Sequence, residues 1–358
     1  MSLRFHVNPA PGPPGLVVLP DAGYRRARAA IAAWHGYAPT PLRDLPRLAT
    51  ATGVAVVRIK DESGRFGLGS FKALGGAYAV DRAVAQHAGA ITVTSATDGN
   101  HGRAVAWGAR RAGCRAVIFI HETVSAGRAE AIAALGAEVR RVAGTYDDAV
   151  RACAATAAIE GWVVISDTSW PGYTETPRAI MQGYRVMAAE AAVQWSGAPP
   201  THVFIQCGVG GVGAAIAVQT RADFTPAPAV VVVEPETAAC LLASAEAERA
   251  VAAEGALETI MAGLACGEPS LLAWQELERA ARGFVAIPDR AAVGAMRALA
   301  AEGLISGESG AAGAAGLMAA ATEPAARAAL ELGADSRVLL FSTEGATDPA
   351  LYAQLLAD

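Results

Sequence analysis

The sequence predicts an α/β protein built on two parallel sheets whose faces are covered by helices. Three observations carry that reading. From about residue 90, short β-rich runs alternate with longer alanine-rich stretches at helical spacing, the pattern of strands joined by crossover helices. Runs such as VVVVE, residues 230–234, are continuously apolar rather than alternating, as expected of strands covered on both faces. The composition, 53% hydrophobic and 18% charged with 38 glycines, suits a compact α/β chain and not a disordered or fibrous one.

The elements follow in order. VAVVRIKDES (54–63) reads as a first strand. A first block then holds the strands AITVTSA (90–96), RAVIFI (115–120), EVRRVA (138–143) and GWVVIS (161–166). Between them lie the helices AVAWGARRAG, GRAEAIAALGA and YDDAVRACAATAAIE. In TPRAIMQGYRVMAAEAAVQW (176–195), Ile180, Met181, Tyr184 and Met187 share one helical face. A second block carries the strands HVFIQC, AVVVVEP, GFVAIP and RVLLFST. We therefore expect a small α/β unit over 67–189 and a large one formed by 1–66 with 190–358. The Ala/Glu-rich residues 243–258 read as a solvated helix or loop.

The net charge of −5 is scattered, with no basic stripe or run, so neither nucleic acid nor an anionic membrane is an expected partner. No apolar run approaches bilayer length and the N-terminal residues lack a signal-peptide pattern, which predicts a soluble cytoplasmic protein. Cys114, Cys153, Cys207, Cys240 and Cys266 form no CxxC pair and no zinc-like spacing. No metal is expected, although Cys240 and Cys266 could meet if the chain between them folds back.

Of the 29 basic residues only two, Lys60 and Lys72, are lysines. Chemistry that needs an amine of adjustable pKa therefore has two candidates, since guanidinium cannot supply it. Lys60 closes a strand beside Asp61 and Glu62 and reads as a salt-bridging surface group. Lys72 sits in FGLGSFKALGGAYA, an apolar setting that lowers a lysine's pKa toward reactivity.

The turn CGVGGVG follows a strand and precedes the helix AAIAVQTRA, and Gly208, Gly210 and Gly213 match G-x-G-x-x-G with Glu234 about twenty residues on. As text this is a dinucleotide fingerprint. Its physical content is backbone N–H groups approaching a phosphate at a helix start, which any phosphorylated cofactor satisfies. A tight turn with no ligand is the plain alternative. TSATDGNHGRAVAW gathers Thr97, Asp98, Asn100 and His101 between a strand end and a helix start, where α/β sheets collect ligands. A capped turn explains one such residue, not four. ISDTSWPGYTETP places Asp167, Thr168 and Ser169 at another strand end. MAGLACGEPS and LISGESGAAGAAG read as close-approach loops, and FSTEGATDP offers Ser342 and Thr343 after the last strand.

Taken in order, SFKALGG, TDGNHG, CGVGGVG, MAGLACGEP, SGESGA and STEG resemble the fold-type II pyridoxal phosphate enzymes, and among them most closely the diaminopropionate ammonia-lyase family, over roughly residues 39–349. The resemblance implies two open twisted sheets flanked by helices with the active site between them, and pyridoxal 5'-phosphate as cofactor. It implies that Lys72 forms the Schiff base and that Phe71 lies against the pyridine ring. Asn100 would bond the ring hydroxyl, while Gly208, Gly210, Gly211, Val212 and Gly213 would cup the phosphate. Ser342, or Thr343 if the loop is offset by one, would face the ring nitrogen. A hydroxyl there does not hold that nitrogen protonated, which favours elimination over transamination. Asp98 and Asp167 match the family's acidic positions and would act as acid/base groups on opposite faces of the substrate. Ala346 follows STEG where the family usually carries an acidic residue.

The implied reaction is α,β-elimination of the small amino acid 2,3-diaminopropionate to pyruvate and two ammonia, by a homodimer. A serine or threonine dehydratase of the same fold is the alternative. Further readings are an NAD-binding dehydrogenase resting on Gly208–Gly213 with Glu234, and a cofactor-binding protein without catalysis.

Overall fold

The computed structural model describes residues 3–97 and 99–357, the side chain of Asp147 aside. Eleven strands form two sheets among the described residues. The larger holds β1 (Arg4–Val7), β2 (Leu42–Asp44), β3 (Val56–Asp61), β8 (His202–Gln206), β9 (Ala229–Pro235), β10 (Ala281–Ile287) and β11 (Arg337–Ser342). Its order is β1-β10-β9-β8-β11-β3-β2. The five central strands are parallel, and β1 and β2 close the edges antiparallel. The smaller sheet, all parallel, is built from β4 (Thr92–Ala96), β5 (Arg115–His121), β6 (Glu138–Val142) and β7 (Val163–Val164) in the order β6-β5-β4-β7. The apolar runs of the sequence became the central strands. The two short charged edges, RFHV and LRD, carry no such run.

Helices Ala73–Gln86 and Glu175–Gln194 fill the space between the sheets. Their backbones nearly touch: a Cβ added to Gly183 would lie 1.9 Å from the Leu74 carbonyl oxygen, so only glycine permits this approach. One apolar core runs from Val93 and Ile118 of the small sheet through Leu74, Ala77, Ile180 and Met187 to Ile205 and Phe341 of the large one. A second core lies behind the large sheet against helices Asp289–Ala301 and Ala312–Thr322. No described helix is long and apolar enough to cross a membrane. None of the five cysteines is in a disulfide, Cys240 and Cys266 included.

Two expectations change. The stretch 243–258 is not solvated throughout: helix Cys240–Glu246 buries Ser244 and Ala245, and the chain runs along the surface only from residue 246 to 258. Lys60 is no surface group. It is wholly buried, pairs with Glu190 at 2.7 Å and donates to the Thr40 carbonyl and Gln194. Arg65 bridges Glu62 and Glu190, and the Glu190 carboxylate also accepts from Tyr37 and the Thr40 amide. Two cations and two carboxylates thus neutralise one another beneath the turn that leads to Lys72. Burial lowers the Lys60 pKa, and the Glu190 carboxylate offsets part of that pull. Glu190→Gln should therefore cost about 3–5 kcal/mol, the penalty for leaving a buried charge unpaired, measured as a lower midpoint in urea unfolding.

Candidate active site

The loops that follow the carboxyl ends of strands in both sheets gather most of the residues the sequence singled out. Lys72 caps helix Ala73–Gln86, and its Nζ donates to Asp167 Oδ2 at 2.6 Å. The Phe71 and Tyr184 ring centres lie 5.4 and 5.8 Å from that nitrogen, with the rings packed on each other at 4.6 Å. Burial would lower the lysine's pKa, as its apolar flanks suggest, but the Asp167 charge outweighs burial and raises it. Asp167 behaves reciprocally: burial pushes it up, while Lys72 and His101 hold it below the usual carboxylate range. At neutral pH the pair is an ion pair.

Asp167 reaches Lys72 because its loop is fixed at both ends. Ile165 N–H bonds the Thr94 carbonyl at 2.8 Å, and Tyr173 both accepts from Ser166 N–H and donates to the Val164 carbonyl. Ser169 accepts from Leu272 N–H and bonds the Ser270 hydroxyl, while Ser270 N–H bonds the Val209 carbonyl. One network thereby ties ISDTSWPGYT to MAGLACGEPS and to the glycine turn.

His101, left without a role by sequence reasoning, is buried with Nδ1 3.9 Å from Asp167 Oδ2. Its Nε2 meets the Ile165 carbonyl at 2.9 Å. A carbonyl only accepts, so Nε2 carries the hydrogen and Nδ1 of the neutral ring is a bare lone pair. Burial keeps the ring neutral by lowering its pKa. Asn100 opens helix Asn100–Ala112 and donates to Glu344, whose other oxygen accepts from Ser309 N–H at 3.1 Å. Glu308, paired with Arg128 at 2.9 Å, is pushed up to about 7 by burial and the neighbouring Glu344 charge. Both glutamates were legible only as letters of SGES and STEG. Asp98 lies outside the described residues.

Gly208 to Gly213 form the turn from β8 into helix Gly211–Asp223. Gly210 has φ +97°, which glycine alone takes without strain, and a Cβ on Gly208 would fall 2.8 Å from Cys266 Sγ. The result is an open cradle at a helix start whose first N–H groups, those of Val212 and Gly213 among them, lack partners within the helix. The cradle borders the Asp167 loop: a Cβ on Gly211 would sit 3.9 Å from the Asp167 carbonyl oxygen. At the end of β11, Thr343 accepts from Phe71 N–H through its carbonyl at 3.0 Å. Ser342 is buried against Ser306.

Glu234 does not serve a dinucleotide. It is fully buried, and its two oxygens accept from Leu241 and Leu242 N–H, both at 2.8 Å, leaving nothing for a ribose. Burial pushes it up to about 8. The folded state therefore keeps a proton that the unfolded chain releases near pH 4.3, so this residue lowers stability as pH rises from there to about 8. Glu234→Gln should flatten that slope, seen as a smaller fall in Tm between pH 5 and 8.

An amine beside a carboxylate, a glycine cradle for an anion, and two buried polar atoms without partners, Tyr184 Oη and His101 Nδ1, suit a phosphorylated aldehyde cofactor. A family model described as pyridoxal-phosphate dependent enzyme matches residues 33–344. Diaminopropionate ammonia-lyase of Escherichia coli (strain K12) is 39% identical over 349 residues, covering 90% of this chain and 88% of the relative. That of Salmonella typhimurium is 38% identical over 356 residues, covering 89% and 88%. A crystal structure of the Escherichia coli enzyme in complex with an aminoacrylate-PLP azomethine reaction intermediate superposes with a TM-score of 0.92 at 37% identity, covering 99% of this chain and 97% of that one. Threonine deaminase from Solanum lycopersicum shares the fold, with a TM-score of 0.81 at 22% identity over 97% of this chain and 96% of that one.

Proposed function

Because the chain belongs to the pyridoxal-phosphate dependent enzymes, and within them to the diaminopropionate ammonia-lyase family, we propose that it eliminates ammonia from 2,3-diaminopropionate, giving pyruvate and a second ammonia. The observation that carries this reading is the Lys72–Asp167 pair, 2.6 Å apart beside a glycine cradle. The NAD-binding alternative falls with the family and with the Glu234 carboxylate, whose oxygens are both taken by backbone N–H groups.

When bound, pyridoxal 5'-phosphate supplies an aldehyde that condenses with amines and a ring that withdraws electrons from the substrate α-carbon. Lys72 would hold it covalently, Gly208, Gly210, Gly211, Val212 and Gly213 would hold the phosphate, and Asn100, Phe71 and Ser342 or Thr343 would hold the ring. Asp167 Oδ2, 2.6 Å from the Lys72 amine, is the carboxylate oxygen that would take the substrate's α-proton. Asp98 is assigned the opposite face by its place in TDGNHG. Tyr184 and Phe71 wall one side of the amine. Residues 67–189 form the small unit in this proposal and the rest the large one; a cytoplasmic homodimer is part of the same reading.

The purified protein with added cofactor should release two ammonia per pyruvate from diaminopropionate. Activity confined to serine or threonine, with one ammonia per keto acid, would instead establish a dehydratase.

A further inference from the structure

We infer that Ser169 and Ser270 are positioning residues that couple the glycine cradle to Asp167, so that an anion held in the cradle fixes the carboxylate against Lys72. The inference rests on the pyridoxal phosphate reading and adds to it the route by which the cofactor's phosphate sets the acid/base group.

Helix Leu271–Ala280 begins without a cap from its own side chains. The first backbone N–H groups of a helix have no partner inside it and must find one outside. Ser270 stands where a serine hydroxyl ordinarily turns back to those groups, yet it makes no such bond. Ser169 supplies both partners instead: its carbonyl accepts from Leu271 N–H at 3.0 Å and its hydroxyl oxygen from Leu272 N–H at 2.8 Å. The Ser270 hydroxyl accepts in return from Ser169 N–H at 3.0 Å, and the two hydroxyl oxygens lie 2.6 Å apart. Both side chains are buried. One loop residue thereby meets the helix start through its N–H, its carbonyl and its hydroxyl, and Asp167 lies two positions before it. On its other side Asp167 is anchored to β4 and Tyr173 through Ile165 and Ser166. Where the carboxylate stands relative to Lys72 therefore depends on where the helix start stands.

That helix start is set by the cradle. Ser270 N–H bonds the Val209 carbonyl at 2.9 Å. A Cβ added to Gly210 would lie 3.0 Å from Ala273 Cβ, and one added to Gly213 would lie 3.6 Å from Leu277 Cδ1, so the turn and the helix pack as one close-fitted body. An anion that gathers the N–H groups of the turn restrains Val209, and Ser270 passes that restraint to Ser169. Order at one site then lowers the cost of order at the other, and the coupling is reciprocal.

The test is hydrogen–deuterium exchange of the full chain, free of cofactor, with pyridoxal phosphate and with inorganic phosphate alone, with thermal melts to confirm folding. In the wild type both ligands should slow exchange at residues 208–213 and also at 165–173, the latter by roughly 5- to 150-fold, the usual span of a coupling between two sites. Ser169→Ala and Ser270→Gly should keep the protection at 208–213 and lose it at 165–173. In both variants cofactor capture at Lys72 should also move to lower pH, because a loosened Asp167 no longer holds the amine protonated; a mere loss of stability would leave that profile in place. If Ser169→Ala does not fold, Ser270→Gly decides, since glycine is nearly as good as serine at a helix start. Variants that stay protected at 165–173, as they would if the contact of Gly211 with the Asp167 carbonyl carried the coupling, overturn the inference. So does a wild type protected at 208–213 alone, or one in which phosphate bound at 208–213 leaves 165–173 exchanging as before while pyridoxal phosphate protects it. A wild type that takes up neither ligand would instead sink the underlying reading.

Discussion

Lys72→Ala is expected to abolish turnover and covalent retention of the cofactor together, and Lys72→Arg to do the same, because a guanidinium neither shares Asp167's proton equilibrium nor condenses with an aldehyde. The check is borohydride reduction of the loaded protein followed by peptide mass spectrometry. With two lysines in the chain and Lys60 buried under Glu190 and Thr40, the cofactor's mass should appear on Lys72 alone. Label on Lys60, or retention in Lys72→Ala, would refute the assignment. The alanine variant should also lose acid resistance. The depressed pKa of Asp167 contributes stability that is present above the unfolded value of about 3.9 and lost as pH falls through the folded one. Without Lys72, burial dominates and the carboxyl takes up its proton at higher pH.

Asp167→Asn should separate two properties that usually decline together. Turnover should drop by roughly 10²- to 10⁴-fold, the range for loss of a positioned acid/base group. Cofactor capture should nevertheless become faster at neutral pH. Asp167 raises the Lys72 pKa, so the wild-type amine is protonated at pH 7 and capture accelerates only as pH rises. Once the carboxylate is gone its raising effect is lost and burial moves the lysine down, shifting the capture profile toward lower pH. A stopped-flow absorbance series against pH measures this. An unmoved profile would show that Asp167 does not control the amine.

The parallel strands were legible because burial on both faces demands continuous apolar runs. The glycine turn was legible because a close backbone approach excludes side chains. Lys72 stood out through the scarcity of lysine. Its protonation was misread, since Asp167 is 95 residues away and no local pattern reports a partner at that distance. Lys60 was misplaced for the same reason: Glu190, on another helix, is what allows it inside. Glu344 and the contact between the Gln206 and Thr343 side chains are likewise meetings of separate strand ends, set by sheet order β8-β11-β3 and not by spacing along the chain.

The edges of both sheets carry a consequence for self-association. β1, β2 and β7 are four, three and two residues long, and β6 reads EVRRV. Short or charged borders give a second chain little ladder to extend. Two copies of this protein should therefore meet through helices and loops, leaving the strand hydrogen bonding of each subunit complete on its own. Such a pair could separate on dilution without exposing a template for fibrils.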